Sequence, residues 1–193
     1  MTDPFRQFGE WFREAEATVP VDPNAMVLST VGPEGRPSSR VVLLKGFDAE
    51  GFVFYGNLES RKFRELRAHP WAALNFHWKP LGKQVRIEGG VTQVADQEAD
   101  EYFATRARGS QIGAWASRQS EPLPSRATLE AAVRDVEARY AGGNVPRPPF
   151  WSGFRLDPDR IEFWKAGEFR LHDRQVFRRA SKGAPWTVEH LYP

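Results

Sequence analysis

Short runs of β-branched and aromatic residues, closely spaced and separated by turn residues, are the feature that most limits how this chain can fold. The first half predicts an antiparallel meander, because consecutive runs are joined by short turns such as residues 32–37 and 48–51. The C-terminal part returns to the same pattern. The predicted strands cover residues 25–31, 38–47, 52–57, 71–78, 83–94, 153–158, 160–164, 169–180 and 184–193.

Helical spacing interrupts the strands in four places. The first of these segments places four aromatic residues on one helical face: Phe5, Phe8, Trp11 and Phe12. The predicted helices cover residues 4–17, 60–69, 96–108 and 125–140. Short strands with a few inserted helices predict an α+β fold, an antiparallel barrel in one domain over residues 1–193, whose closure removes exposed strand edges.

Composition excludes several kinds of chemistry. The sequence has no cysteine, which rules out a disulfide, a thiolate metal site and a cysteine nucleophile. No apolar run approaches the roughly 20 residues of a membrane helix, and the N-terminus lacks the apolar run of a signal peptide. We therefore expect a cytoplasmic protein. His69, His77 and His190 lack metal-ligand spacing, so no metal site is predicted.

Arginine is unusually frequent. The sequence has 27 Lys and Arg residues, of which only six are Lys, yet its formal net charge is +2. We attribute the larger share of this number to genomic codon bias. A site for phosphate or carboxylate ligands is the other explanation, because the planar guanidinium group matches both anions. Individual arginines are therefore judged by their position.

Two candidate anion sites lie in the first half of the chain. Ser60 at a predicted helix N-cap, followed by Arg61 and Lys62, would gather free N–H groups, the helix dipole and two cations at one point. Taken alone, an ordinary capped helix with solvated cations explains this triplet better. Arg40 and Lys45 bracket an apolar run and are expected on opposite faces of one strand. Surface charge is the simpler interpretation of that pair.

A third candidate comprises Tyr102, Arg106 and Ser110, which are spaced four residues apart. One continuous helix would align them to receive a phosphate. A packed tyrosine with an arginine reaching to solvent explains the spacing about equally well. Tryptophans are expected in the core or in a dimer interface rather than at a ligand, in particular Trp71, Trp78, Trp115, Trp151 and Trp186.

The fourth candidate is a set of basic residues that alternate on one face of a predicted strand: Arg170, His172 and Arg174. Trp164 lies just across the predicted turn 165–168. An anion between the three basic groups would relieve their repulsion. Phe169 and Leu171, on the opposite face, would already supply the core, so we favour a functional role over an exposed polar face.

Six segments taken together resemble the pyridoxamine/pyridoxine 5′-phosphate oxidase family: residues 40–45, 54–62, 83–89, 102–120, 145–156 and 162–174. The resemblance implies a homodimeric split β-barrel that binds FMN at the subunit interface. It also implies oxidation of pyridoxine or pyridoxamine 5′-phosphate to pyridoxal 5′-phosphate. In that reaction a hydride passes from the substrate's C4′ to flavin N5, after which O₂ reoxidises the flavin and hydrogen peroxide is released.

The resemblance also implies roles for individual residues. It places around FMN Arg40, Lys45, Tyr55, Gly56, Arg61, Lys62, Gln84, Gln119, Ser120, Trp164 and Arg174. It places the substrate phosphate on Lys45, Tyr102, Arg106 and Ser110. Arg170 and His172 would be the catalytic residues, lying over the pyridine ring and its reacting carbon, orienting the substrate and assisting proton removal.

Several positions depart from the family pattern. Gly56 stands in place of a hydroxyl residue beside the FMN phosphate, Lys165-Ala166 in place of Gln-Gly, and His190 in place of an arginine. The chain also begins just before the first helix, without the N-terminal extension that can close over the substrate in the family. Looser substrate capture, or a different substrate, would follow.

Two other functions remain open from the sequence. A sister flavin oxidase of the phenazine-biosynthesis type shares much of the C-terminal pattern, although the Tyr102, Arg106 and Ser110 set favours a phosphorylated substrate. A non-catalytic flavin- or haem-binding split-barrel protein would give Arg170 and His172 no reason to stand together. Nucleic-acid binding is suggested only by a pI of about 9.0, without a basic run or recognition motif.

Overall fold

A computed structural model describes residues 3–193, so the first two residues of the predicted domain lie outside the described part of the chain. The helices are α1 (Pro4–Thr18), α2 (Arg61–Ala68), α3 (Asp96–Thr105), α4 (Arg108–Ala116) and α5 (Arg126–Arg139). The strands are β1 (Ala25–Val31), β2 (Pro37–Leu43), β3 (Gly46–Asp48), β4 (Gly51–Asn57), β5 (Trp71–Trp78), β6 (Lys83–Gln93), β7 (Trp151–Lys165), β8 (Asp173–Arg178) and β9 (Thr187–His190).

All strands join one antiparallel sheet in the order β2-β1-β5-β6-β7-β4-β3, with β8 paired to β7 and β9 paired to β8. The long strand β7 pairs with β4 through its first half and with β8 through its second half. The pairing of β6 with β7 shifts register at Gly89, where a Cβ atom would lie 2.1 Å from the Asp157 carbonyl oxygen. The sheet curls there, and the predicted α+β split-barrel fold is confirmed.

The interior of the curled sheet holds an aromatic core. Helix α1 begins at Pro4 after Asp3, whose side chain accepts a hydrogen bond from the Phe5 N–H group. Phe8 is fully buried, and its ring centroid lies 4.9 Å from that of Phe52 and 5.2 Å from that of Phe76. The predicted aromatic face of this helix therefore packs into the main core of the sheet. Helices α3 to α5 pack elsewhere, around a second cluster that includes Trp151.

The structure corrects several predicted boundaries. The predicted strands 153–158 and 160–164 form the single strand β7, because β6 pairs along its whole length. The predicted strand 38–47 divides into β2 and β3 because the chain changes partner: the Leu44 N–H group still bonds to the Asn24 carbonyl oxygen beside β1, whereas the Lys45 N–H group bonds to the Val53 carbonyl oxygen of β4. Helix α4 was not predicted as an element.

Among residues 3–193, no helix combines the length and apolar character needed to cross a bilayer.

Candidate functional site

A cavity of about 1030 Å³ opens between strands β2 and β4 on one side and helices α2 to α4 on the other. Many of the predicted site residues line it: Arg40, Lys45, Tyr55, Gly56, Arg61, Lys62, Tyr102, Arg106, Ser110, Gln119 and Ser120. Five of these side chains are cations, and none of the lining residues in the described part of the chain is Asp or Glu. The cavity is therefore suited to an anionic ligand.

The start of α2 forms one corner of the cavity. Ser60 occupies the N-cap position, as predicted, but its hydroxyl accepts a hydrogen bond from Lys62 Nζ (3.1 Å) rather than from a backbone N–H group. The Arg61 N–H group donates to Ser120 Oγ (3.2 Å). The expectation that the first N–H groups of this helix are all free is therefore wrong for Arg61.

Lys62 is 8 % exposed. Its ammonium group also donates to Gln119 Oε1 (2.9 Å), so two residues expected at the cofactor meet in this corner. Burial, reinforced by the charge of Arg40, lowers the pKa of Lys62 to about 8. Gly56 lies beside it, and a Cβ atom at that position would lie 3.4 Å from Lys62 Nζ and 2.7 Å from Phe63 Cε2. The absence of a side chain at Gly56 thus makes room for its neighbours.

Glu65, which the sequence did not single out, connects two of the cavity's arginines. It is 5 % exposed, and its Oε1 accepts from Arg61 Nε (2.8 Å) while its Oε2 lies 3.3 Å from Arg40 Nη2. The hydroxyl groups of Thr30 and Ser38 also donate to Oε2. Burial alone would raise the pKa of Glu65, but these hydrogen bonds and the Arg61 charge lower it to about 2. The position of Glu65 on α2, four residues after Arg61, was the sequence signal that could have identified this ion pair.

Arg40 and Lys45 line the same cavity, so their expected separation onto opposite strand faces is wrong. Strand β2 ends at Leu43, and the Lys45 N–H group bonds to the Val53 carbonyl oxygen. The two-residue alternation therefore stops before Lys45. Arg40 also donates to Leu28 O (3.2 Å), and burial lowers its pKa.

Aromatic rings form another wall. The Tyr55 and Tyr102 rings stack with centroids 4.1 Å apart, and Trp151 lies parallel to Tyr55 at 5.4 Å. Burial, followed by the charge of Glu98, raises the pKa of the Tyr55 hydroxyl. Trp151 is buried in the core, as expected, but it also lines the cavity, whereas the expectation placed it away from any ligand site.

Arg106 lies over this aromatic wall, with its guanidinium carbon 4.8 Å from the Trp151 ring centroid. Its Nη1 atom is buried without a hydrogen-bond partner among residues 3–193, and burial lowers its pKa. The predicted helical stripe is wrong, because α3 ends at Thr105 and Arg106 has extended φ and ψ angles of −71° and 145°. Tyr102 and Ser110 nevertheless line the cavity beside Arg106.

A second set of predicted residues lies elsewhere on the sheet. Gln84 is directly opposite Trp164, and Trp164 is directly opposite Arg174, so their side chains share one face of β6, β7 and β8. Arg174 donates to Glu162 through Nε (2.9 Å) and to the Tyr192 carbonyl oxygen (3.1 Å). None of the three predicted residues lines the cavity.

Arg170 and His172 also lie outside the cavity, and the prediction that they alternate along a strand is wrong. Residues Glu168–Arg170 form a 3₁₀ turn, and β8 begins only at Asp173. Phe169 and Arg170 have positive φ angles of 52° and 64°, a strained conformation for such side chains.

The apolar residues of this turn do not supply the core as expected, since Phe169 is 90 % and Leu171 70 % exposed. His172 instead returns towards the sheet, where its ring centroid lies 4.5 Å from that of Trp164. The predicted juxtaposition of Trp164 with the basic segment thus occurs, but through a turn rather than through strand alternation.

The fold and the cavity together define a split-barrel protein equipped to bind anionic ligands. The pyridoxamine 5′-phosphate oxidase family model matches residues 12–140, and the model of the pyridoxine 5′-phosphate oxidase C-terminal dimerisation region matches residues 151–193. The chain is 63 % identical over 191 residues to a pyridoxine/pyridoxamine 5′-phosphate oxidase of Myxococcus xanthus (strain DK1622), covering 99 % of this chain and 92 % of that protein. The chain belongs to the pyridoxine/pyridoxamine 5′-phosphate oxidase family.

Further relatives agree with this membership. A pyridoxine/pyridoxamine 5′-phosphate oxidase of Azorhizobium caulinodans is 61 % identical, with 99 % of this chain and 90 % of that protein covered. Among solved structures, PhzG from Burkholderia lata 383, in complex with tetrahydrophenazine-1-carboxylic acid, superposes with a TM-score of 0.93. It is 33 % identical, and the match covers 100 % of this chain and 94 % of that one.

Proposed function

We propose that the protein is an FMN-dependent oxidase that converts pyridoxine or pyridoxamine 5′-phosphate to pyridoxal 5′-phosphate, with O₂ as acceptor and hydrogen peroxide as product. Family membership supports the reaction class. One observation carries the assignment to a phosphorylated substrate: in the cavity wall beside Tyr102 and Ser110, a buried guanidinium nitrogen of Arg106 has no partner among the described residues 3–193. A bound phosphate would supply the missing acceptor.

The cavity residues fit FMN as cofactor. The volume of about 1030 Å³ lies just above the range of roughly 300–1,000 Å³ for small-molecule sites, as suits a large cofactor. The corner at Arg61, Lys62 and Gln119 offers cations and an amide to a phosphate group. When bound, the flavin would accept the hydride from the substrate and pass the electrons to O₂.

The protein's own contribution would be binding and orientation. Lys45, Tyr102, Arg106 and Ser110 would hold the substrate phosphate and thereby fix the distance of the reacting carbon. The aromatic wall would exclude water from that end of the cavity. Arg170 and His172 would orient the substrate ring from the other side.

We further propose a homodimer in which each site is completed by the other copy. In one chain, Gln84, Trp164, Arg170, His172 and Arg174 lie away from the cavity that holds the remaining predicted residues. All but Gln84 fall within residues 151–193, the segment that matches a dimerisation region. A second copy that presents this face to the cavity would bring the two sets together.

Anaerobic mixing of the FMN-loaded protein with pyridoxamine 5′-phosphate tests the proposal. We expect the flavin's yellow absorbance to bleach, and unphosphorylated pyridoxamine at the same concentration to bleach it far more slowly. Equal bleaching by both compounds would contradict the phosphate assignment. No bleaching by either, with FMN bound, would favour the sister flavin oxidase, whose structural likeness to PhzG supports it as second candidate.

A further inference from the structure

We propose that Glu65 is a positioning residue that orients Arg61 towards the phosphate of the cofactor. The inference rests on the proposed binding of FMN and adds a residue to that site. Glu65 does not line the cavity itself. It would act from behind the wall, through an arginine that does.

The contacts of Arg61 support this role. Its side chain is 61 % exposed and its Nε donates to Glu65 Oε1 (2.8 Å). Within residues 3–193 Arg61 donates side-chain hydrogen bonds only through Nε, which leaves its two terminal nitrogens free for a ligand in the cavity that it lines. A long exposed arginine loses considerable side-chain entropy when it is fixed. An existing tether at Nε removes part of that cost before the ligand arrives.

The contacts of Glu65 show that the tether is itself fixed. Its second oxygen accepts from Thr30, Ser38 and Arg40, which come from β1 and β2. Glu65 therefore joins the helix that carries Arg61 to two strands of the sheet. Because the carboxylate is 5 % exposed, water competes little for these hydrogen bonds.

A positioning role and a purely electrostatic role of Glu65 predict opposite changes in FMN affinity when Glu65 is replaced by Gln. Glu65→Gln removes a negative charge near the phosphate site, so electrostatics alone would tighten the binding of FMN. The glutamine side chain has a single amide oxygen, which can replace only one of the two carboxylate oxygens of Glu65. Its NH₂ group would take the place of the other oxygen and face the donors that now bond to it. Loss of the Arg61 orientation would instead weaken binding.

The test is a double-mutant cycle with the dissociation constant of FMN, followed by flavin fluorescence quenching, as readout. We expect Glu65→Gln and Arg61→Ala each to raise this constant about tenfold, and the double variant to be no weaker than Arg61→Ala alone. The matched control is Glu130→Gln, which breaks a similarly spaced pair with Arg126 (3.1 Å) on α5 and should leave FMN binding unchanged.

Each other outcome overturns the inference. Tighter or unchanged binding by Glu65→Gln, or additive losses in the double variant, would exclude a positioning role through Arg61. If Glu65→Gln does not fold, Glu65→Asp carries the same cycle, since it keeps the buried charge but shortens the reach to Arg61. A wild-type protein that binds no FMN would instead overturn the proposed function, and the role of Glu65 with it.

Discussion

The Gly167 N–H group donates a hydrogen bond to His172 Nδ1 over 3.2 Å. A backbone N–H group can only donate, so Nδ1 is the acceptor in this contact. The contact occupies Nδ1 and leaves Nε2 as the ring nitrogen available to a ligand. We propose that His172 orients the substrate through Nε2, and its part in proton removal stays a prediction.

Substitution of Gly167 should disturb this arrangement. A Cβ atom there would lie 1.9 Å from the Leu171 carbonyl oxygen, so Gly167→Ala must displace the turn that holds His172. We expect a loss of turnover and a change in the His172 side-chain ¹⁵N shifts, measured by steady-state kinetics and NMR. Gly143→Ala is the control, because nothing lies within 4 Å of its Cβ position. Wild-type turnover in Gly167→Ala would argue against a role for His172.

Arg106 should contribute to substrate affinity. Arg106→Ala removes the half-buried guanidinium over Trp151, and we expect KM for pyridoxamine 5′-phosphate to rise about 10- to 100-fold, the effect of losing one or two charged hydrogen bonds. FMN affinity should change far less. Arg134→Ala, on the exposed surface of α5, serves as control. An equal loss of FMN affinity would place Arg106 at the cofactor instead.

FMN binding should weaken as the pH rises through about 8. Burial lowers the pKa of Lys62 to about 8, so above this pH the free cavity loses one of its cations. We expect the dissociation constant to increase by up to about tenfold per pH unit above 8, as required when binding takes up one proton. In Lys62→Arg the charge persists, and this dependence should disappear. A dependence that survives in Lys62→Arg would assign it to another group.

Acid should remove a stabilising contribution of Glu65. Its pKa is lowered to about 2 in the folded protein, from an ordinary value of 4.5. The carboxylate therefore stabilises the fold fully above pH 4.5, and this contribution, on the order of 3 kcal/mol, is lost as the pH falls towards 2. We expect the difference in free energy of unfolding between wild type and Glu65→Gln, from urea titrations, to shrink over this range. A constant difference would contradict the shift.

A side chain at Gly56 should conflict with Phe63. Because a Cβ atom at Gly56 would lie 2.7 Å from Phe63 Cε2, Gly56→Ser is expected to cost about 1–3 kcal/mol of stability. The same change in a Phe63→Ala background should cost less, since the ring is gone. Thermal unfolding of the four proteins measures this coupling. Equal costs in both backgrounds would show that Phe63 moves aside freely.

Local sequence patterns were sufficient for most of the secondary structure. The aromatic face of α1 and strands β1 and β5 were predicted closely, because side-chain period and turn residues depend on neighbours in sequence. The predicted boundaries were wrong where a strand's extent depends on a partner distant in sequence. The length of β7, for example, is fixed by its pairing with β6. The turn at Phe169 was missed because its strained backbone has no local signal.

The sequence alone determined the fold class, the family, and the presence of many cations suited to phosphate, since all three depend on residue types and their order. Only the tertiary structure decided which of these residues meet. It placed Arg106 over Trp151, tied Arg40 to Glu65, and kept Arg174 apart from the cavity. Such contacts join residues far apart in the chain, so they depend on how strands and helices pack rather than on local spacing.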